Sequence, residues 1–153
     1  MKPVGEQQQE ARRRVVVVDP SEDARTVLAL LFIASDCDVR QMQGEEGVVE
    51  LVQMFRPHAV FLDAHLGNGS TGLSLARKLC EQERASRPLI VIMSAWAMEK
   101  DRVAPPSACA DLFYAKPADP DELIAVALSG NRRATPDLGP DNSACGNKDG
   151  DSD

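Results

Sequence analysis

The chain has 153 residues, 43% of them hydrophobic, and a formal net charge of −7, which is enough for one domain with its own core. That charge excludes general affinity for nucleic-acid phosphates, which needs clustered Lys and Arg. The only basic cluster is Arg12-Arg13-Arg14, so no direct DNA binding is expected. The longest apolar run, Val27 to Ala34, is far too short to span a bilayer, and the amino-terminal residues are polar and glutamine-rich rather than signal-like; a cytoplasmic protein without membrane association is expected.

In chain order, residues 1–13 read as a loose polar arm. Val15-Val16-Val17-Val18 is β-branched throughout and stops at Asp19, which suits a strand buried on both faces. Ser21 to Ala34 carries a helical stripe at Val27, Leu28, Leu31 and Phe32, with Glu22 and Asp23 in its first turn. Asp36 to Met42 alternates as a modest second strand, and Glu45 to Phe55 repeats Val48, Val49, Leu51, Val52 and Phe55 as a second helix. Pro57 to Asp63 is an apolar run that again ends on a carboxylate, followed by Ala64-His65-Leu66 and a Gly-rich stretch, Gly67 to Gly72, which reads as an irregular loop.

Leu73 to Glu83 is a third amphipathic helix, and Leu89 to Met93 a fully apolar strand leading into Ser94-Ala95-Trp96. Met98 to Ala104 predicts a fourth helix, short or broken because Pro105-Pro106 cannot continue it. Leu112 to Ala115 is a fifth strand ending at Lys116-Pro117, and Pro120 to Leu128 a fifth helix with proline at its start. Beyond it the chain turns to Gly, Pro, Asn, Ser and Asp; residues 131–153 predict a disordered acidic tail. Cys37, Cys80, Cys109 and Cys145 lie far apart, with no pair at metal or redox spacing, and are expected to be reduced thiols.

Strict alternation of apolar strands and helices predicts an α/β fold, a flavodoxin-like doubly wound (βα)5 three-layer sandwich around a five-stranded parallel sheet. In that order the first and third strands are neighbours, so Asp19 and Asp63 share one crevice, joined by Ser94 and Lys116 from the fourth and fifth.

Val18-Asp19, Phe61-Leu62-Asp63, Met93-Ser94-Ala95 and Ala115-Lys116-Pro117, in this order, resemble the receiver domain of two-component response regulators over residues 14–130. The resemblance implies that Asp63 is the phosphoacceptor, taking a phosphoryl group from a histidine kinase or a histidine phosphotransfer protein. It implies Mg²⁺ held by Asp19, Asp63 and the backbone carbonyl of His65, with Lys116 and Ser94 on the phosphate oxygens. It makes Phe113, three residues before the lysine, the aromatic switch position, and the output a contact with a downstream protein. Such a domain is a switch rather than an enzyme. The chain departs from the family pattern at Pro20, which replaces a second acid and predicts weakened magnesium binding, at Gly67, which replaces a proline, at Phe113, which lacks a hydroxyl, and at Pro105-Pro106.

Each residue also has a plainer reading. Asp19-Pro20-Ser21-Glu22 suits a helix start with Asp19 as N-cap and Pro20 at the first helical position. Ser94 and Lys116 taken singly are ordinary strand-end polarity. His65 predicts an exposed loop side chain, and Trp96 and Tyr114 cover for the rim of the site. Asp63-Ala64-His65 also resembles the Asp-x-His-x-x-Gly element of cobalamin-binding domains, but Gly67 comes one residue early. The Gly67 to Gly72 loop lacks the Gly-Lys-Ser/Thr ending of a P-loop. The main alternative keeps the fold and drops the chemistry: a degenerate, phosphorylation-independent receiver acting as an interaction module.

Overall fold

The computed structural model describes residues 12–82, 87–95 and 109–129. The expected fourth helix with Pro105-Pro106, Trp96, Cys145, residues 1–11 of the arm and the acidic tail lie outside them. The elements are β1 (Arg14–Val18), α1 (Glu22–Ala34), β2 (Asp38–Met42), α2 (Val48–Phe55), β3 (Ala59–Asp63), β4 (His65–Gly67), β5 (Ser70–Thr71), α3 (Gly72–Gln82), β6 (Leu89–Ser94), β7 (Leu112–Ala115) and α4 (Pro120–Ser129).

Five parallel strands form one sheet in the order β2-β1-β3-β6-β7. Because side chains alternate across a strand, the run Val15 to Val18 supplies both cores. Val15 and Val17 join Phe32, Phe61, Val91, Leu123 and Ala127 on the face covered by α1 and α4. Val16 and Val18 join Val48, Val52, Leu62, Leu75, Leu79 and Ile92 on the face covered by α2 and α3. The Phe32 and Phe61 rings meet at 4.7 Å between centroids across the first of these. This is the expected doubly wound sandwich: β1, β3 and β6 are buried almost throughout, which is why they read as unbroken apolar runs.

Element boundaries depart from the sequence pattern where the backbone turns left-handed. Asp36, at φ 70°, closes the end of α1, and its N–H donates to the Ile33 carbonyl; residues 35 and 36 therefore form a turn, and β2 begins only at Asp38. Gly47 at φ 84° delays α2 to Val48, and Arg56 at φ 52° delays β3 to Ala59. The stripe on α1 also shifts. Ala29 and Phe32 are buried, with Leu28 and Leu31 packed beside them, whereas Val27 points outward and is 67% exposed.

Three further expectations are corrected. The Gly-rich stretch is ordered, since β4 and β5 pair as a small antiparallel hairpin whose tip, Gly67-Asn68-Gly69, has positive φ throughout. That conformation suits glycine and asparagine. The helix start uses Ser21, not Asp19, as N-cap: the Ser21 hydroxyl accepts the Ala24 N–H at 3.2 Å, and Pro20 stands outside the helix. Finally, Cys80 and Cys109 are not separate thiols but a disulfide, with Cα atoms 5.9 Å apart and a separation of 29 in sequence. Sequence spacing missed the pair because the end of α3 and the approach to β7 meet only in the folded chain. Cys37 is free and buried, and burial pushes its thiol pKa up.

Candidate functional site

The side chains at the carboxyl edge are delivered by strand register. Val18 lies opposite Leu62 in the β1–β3 ladder, so Asp19 and Asp63, each one residue further on, emerge on adjacent strands. Beyond β3, Asp63 pairs with Met93, and Ser94 pairs with Ala115, which brings Lys116 to the same edge. The Lys116 N–H donates to the Ser94 carbonyl at 2.9 Å, extending the β6–β7 ladder to the lysine itself. The Lys116–Pro117 peptide bond is cis.

The Lys116 ammonium bridges the two carboxylates, at 2.8 Å from Asp19 Oδ2 and 2.5 Å from Asp63 Oδ1. The remaining oxygens accept backbone donors: Asp19 Oδ1 takes the Ser21 N–H at 2.9 Å, and Asp63 Oδ2 the His65 N–H at 3.0 Å. Asp19 is only 5% exposed and is the single charged residue buried among those described. A buried carboxylate is tolerated only when paired and hydrogen-bonded, as it is here. Burial works against the charge of Lys116, but its hydrogen bonds to Asp19 and Asp63 and their negative charges outweigh this, so its pKa lies above the ordinary lysine value.

Gly72 fixes the far side. Its N–H donates to the Ala64 carbonyl at 2.9 Å, and a Cβ at this position would lie 2.6 Å from the Asp63 carbonyl oxygen. Only glycine permits α3 to start this close to Asp63. The hairpin in front of it is tied down by Glu45, which accepts hydrogen bonds from Ser70 Oγ and from Lys78 Nζ. The Lys78 hydrogen bond, then that of Ser70, holds the Glu45 carboxyl below the usual range despite some burial. No sequence signal marked Glu45, because its partners lie 25 and 33 residues away.

Of the residues singled out in the sequence, Asp19, Asp63 and Lys116 meet directly. Ser94 is half-buried at the end of β6, beside Lys116 through the backbone bond, and Phe113 is half-buried against the α2–α3 core. The His65 side chain is exposed, as expected, although it stands on β4 rather than in a loop. Tyr114 packs against the opposite core. A groove of about 1240 Å³ opens nearby, lined by Pro20, Gln43, Glu46 and Asn68 among others, but neither Asp63 nor Lys116 belongs to it. Asp63 and Lys116 therefore sit on the open edge and not in this groove.

The donor set suits a hard cation that keeps most of its water: two carboxylates on neighbouring strands, with the His65 backbone following Asp63. Among the described residues no group of three His, Cys, Asp or Glu side chains forms a richer set, and Pro20 supplies no oxygen from its side chain.

Fold and edge together define a doubly wound α/β domain with an acid–lysine site at the carboxyl ends of its strands, the architecture of signalling receivers. The profile of the response regulator receiver domain matches residues 15–128, and the chain belongs to that family. It is 30% identical over 131 residues to the response regulator MprA of Mycobacterium sp. (strain KMS), covering 86% of this chain and 56% of the relative. It is 28% identical over 126 residues to the phosphate regulon transcriptional regulatory protein PhoB of Rhizobium meliloti (strain 1021), covering 82% and 55%. The chain thus spans little more than half the length of these relatives. Among solved structures it is similar to a Burkholderia pseudomallei response regulator determined with a phosphorylated aspartic acid, calcium ion and citrate. That match has a TM-score of 0.66 at 28% identity and covers 76% of this chain and 66% of the other. The receiver family serves two-component signalling. No helix among the described residues is long and apolar enough to cross a membrane.

Proposed function

We propose that Asp63 is the phosphoacceptor of a two-component phosphorelay, and that the phosphorylated domain signals through contact with a downstream protein. One observation carries this reading: a single lysine ammonium spans two carboxylates, Asp19 directly after β1 and Asp63 at the end of β3. In the transfer, an Asp63 carboxylate oxygen attacks the phosphorus of a phosphohistidine on a histidine kinase or histidine phosphotransfer protein. The P–N bond breaks as the P–O bond of an aspartyl phosphate forms. Phosphoryl transfer asks the protein chiefly for positioning and charge neutralisation. Lys116, already beside Asp63, follows the negative charge onto the transferred group, and the Ser94 hydroxyl donates to another of its oxygens. Asp19, Asp63 and the His65 carbonyl would hold Mg²⁺, which neutralises the phosphoryl oxygens when bound. Phe113 reports the change by repacking alone, since it has no hydroxyl to engage.

Pro20 favours a second reading, an interaction module that works without phosphate, because it removes one carboxylate from the cation site. One experiment separates the two. Full-length protein is incubated with acetyl phosphate and Mg²⁺ and analysed by intact mass and phosphate-affinity gel, beside Asp63→Asn and Pro20→Asp. A phosphoryl adduct that is lost in Asp63→Asn and on chelation of the metal is expected, with magnesium bound on the order of tenfold more tightly by Pro20→Asp. Absence of an adduct, with acetyl phosphate and with a phosphorylated histidine donor alike, supports the phosphate-independent module. An unchanged magnesium dissociation constant in Pro20→Asp would refute the account of Pro20.

A further inference from the structure

Among the described residues β7 is the edge strand of the sheet, four residues long and paired only with β6, and Lys116 follows it directly. Its carboxyl end is held by the site, through the Lys116 bonds to Asp19 and Asp63. Its amino end is held in two ways. Asp111 pairs with Arg87 at 3.3 Å and accepts the Ile90 N–H at 2.8 Å, and Cys109 is bonded to Cys80 near the end of α3. The other end of α3 is Gly72, lodged against the Asp63 carbonyl. The disulfide therefore closes a ring of contacts, from Asp63 through α3 to Cys80, across to Cys109, and along β7 back to Lys116. Both cysteines are half-buried and within reach of a small thiol, whereas Cys37 is sealed in the core.

We propose that Cys80 and Cys109 form a reversible dithiol–disulfide pair, through which the surrounding low-molecular-weight thiol pool sets how firmly β7, with Lys116 at its end, is anchored. The oxidant is a small-molecule disulfide such as oxidised glutathione. The thiolate of one cysteine attacks it, forming a mixed disulfide and expelling one small thiolate. The second cysteine thiolate then displaces the other small thiolate and closes the protein disulfide. Two protein thiols are oxidised, one small disulfide is reduced to two thiols, and the two protons lost by the cysteines pass to the departing thiolates. The exchange and the anchoring stand independently of phosphorylation; only their consequence for phosphoryl uptake rests on the reading of Asp63 above.

The test uses the full chain equilibrated in glutathione buffers from fully reduced to fully oxidised, with free thiols trapped by alkylation and mapped by peptide mass spectrometry. The Cys80–Cys109 linked peptide is expected to rise in a single two-electron transition while Cys37 stays unmodified. Finding no linked peptide in the most oxidising buffer, or one that persists in native protein under excess reduced thiol, overturns the proposal. Amide hydrogen exchange of residues 111–116 is then compared between the two forms. Exchange is expected to be about tenfold faster in the reduced form, and in Cys80→Ser with Cys109→Ser, than in the oxidised form. Equal exchange in all three overturns the anchoring role. Phosphoryl uptake by both forms, from acetyl phosphate and from a phosphorylated histidine donor, is the last readout: if neither form is phosphorylated by either donor, the phosphoacceptor reading fails while the exchange results still decide the redox pair.

Discussion

Gly72 leaves no space for even a methyl group, with the Asp63 carbonyl oxygen 2.6 Å from where a Cβ would stand. Gly72→Ala must push α3 away from β3, and a loss of about 1–3 kcal/mol is expected in urea unfolding. His58 makes a quieter contribution at the opposite edge: its Nδ1 accepts the Arg14 N–H at 3.0 Å. Burial, together with the charges of Arg13 and Arg14, lowers its pKa from the usual 6.5. The unfolded chain therefore binds this proton first. Stability is complete above the unfolded value and falls as the pH drops through it towards the folded value. Between about pH 7 and about pH 5 the melting temperature of the wild type should fall more steeply than that of His58→Asn, which keeps an acceptor but does not titrate. The difference in legibility among single residues has a physical basis. Asp19, Asp63 and Lys116 each end an apolar strand, a local pattern visible in the chain. Glu45, Gly72 and the Cys80–Cys109 pair are defined by neighbours that only the folded chain supplies.

At the scale of elements, the buried strands were the easiest to read, because burial on both faces leaves an unbroken apolar run. The β4–β5 hairpin was missed because Gly67 and Gly69 dilute any alternation, and its order comes from Glu45 reaching across to Ser70. The basic triplet that leads into β1 had no evident purpose in the sequence beyond surface charge. In the fold, Arg13 donates to the carbonyls of Leu128 and Ser129 at 2.6 and 2.9 Å, and Arg14 Nε donates to those of Phe55 and Arg56, both at 2.9 Å. The carboxyl ends of α4 and α2 thus receive cationic donors where their last carbonyls lack partners and the helix dipole is negative. Arg13→Met and Arg14→Met, which keep the aliphatic stem, should each lower stability by about 0.5–1 kcal/mol in urea unfolding.

For the molecule as a whole, the three-layer architecture and the convergence of strand ends followed from β/α alternation. What escaped the sequence was the covalent link between α3 and the edge strand. A cross-link between residues 29 apart restricts the unfolded chain, and loop-closure entropy for that length gives about 3–4 kcal/mol of stabilisation. Equilibrium urea unfolding of the oxidised and reduced protein should differ by this amount, and unfolding of Cys80→Ser with Cys109→Ser should match the reduced form. Arg13 carries one more consequence, for how the fold is closed. Its bonds to Leu128 and Ser129 clasp the two ends of the folded unit together across a separation of 115 and 116 residues. That clasp lies at the amino edge of the sheet, opposite Asp63 and Lys116. Arg13 and Ser129, near the two ends of the described chain, therefore lie on the side of the sheet away from the acid–lysine edge. Loosening that clasp acts on the back of the fold and leaves the bonds of Lys116 to Asp19 and Asp63 at the front in place.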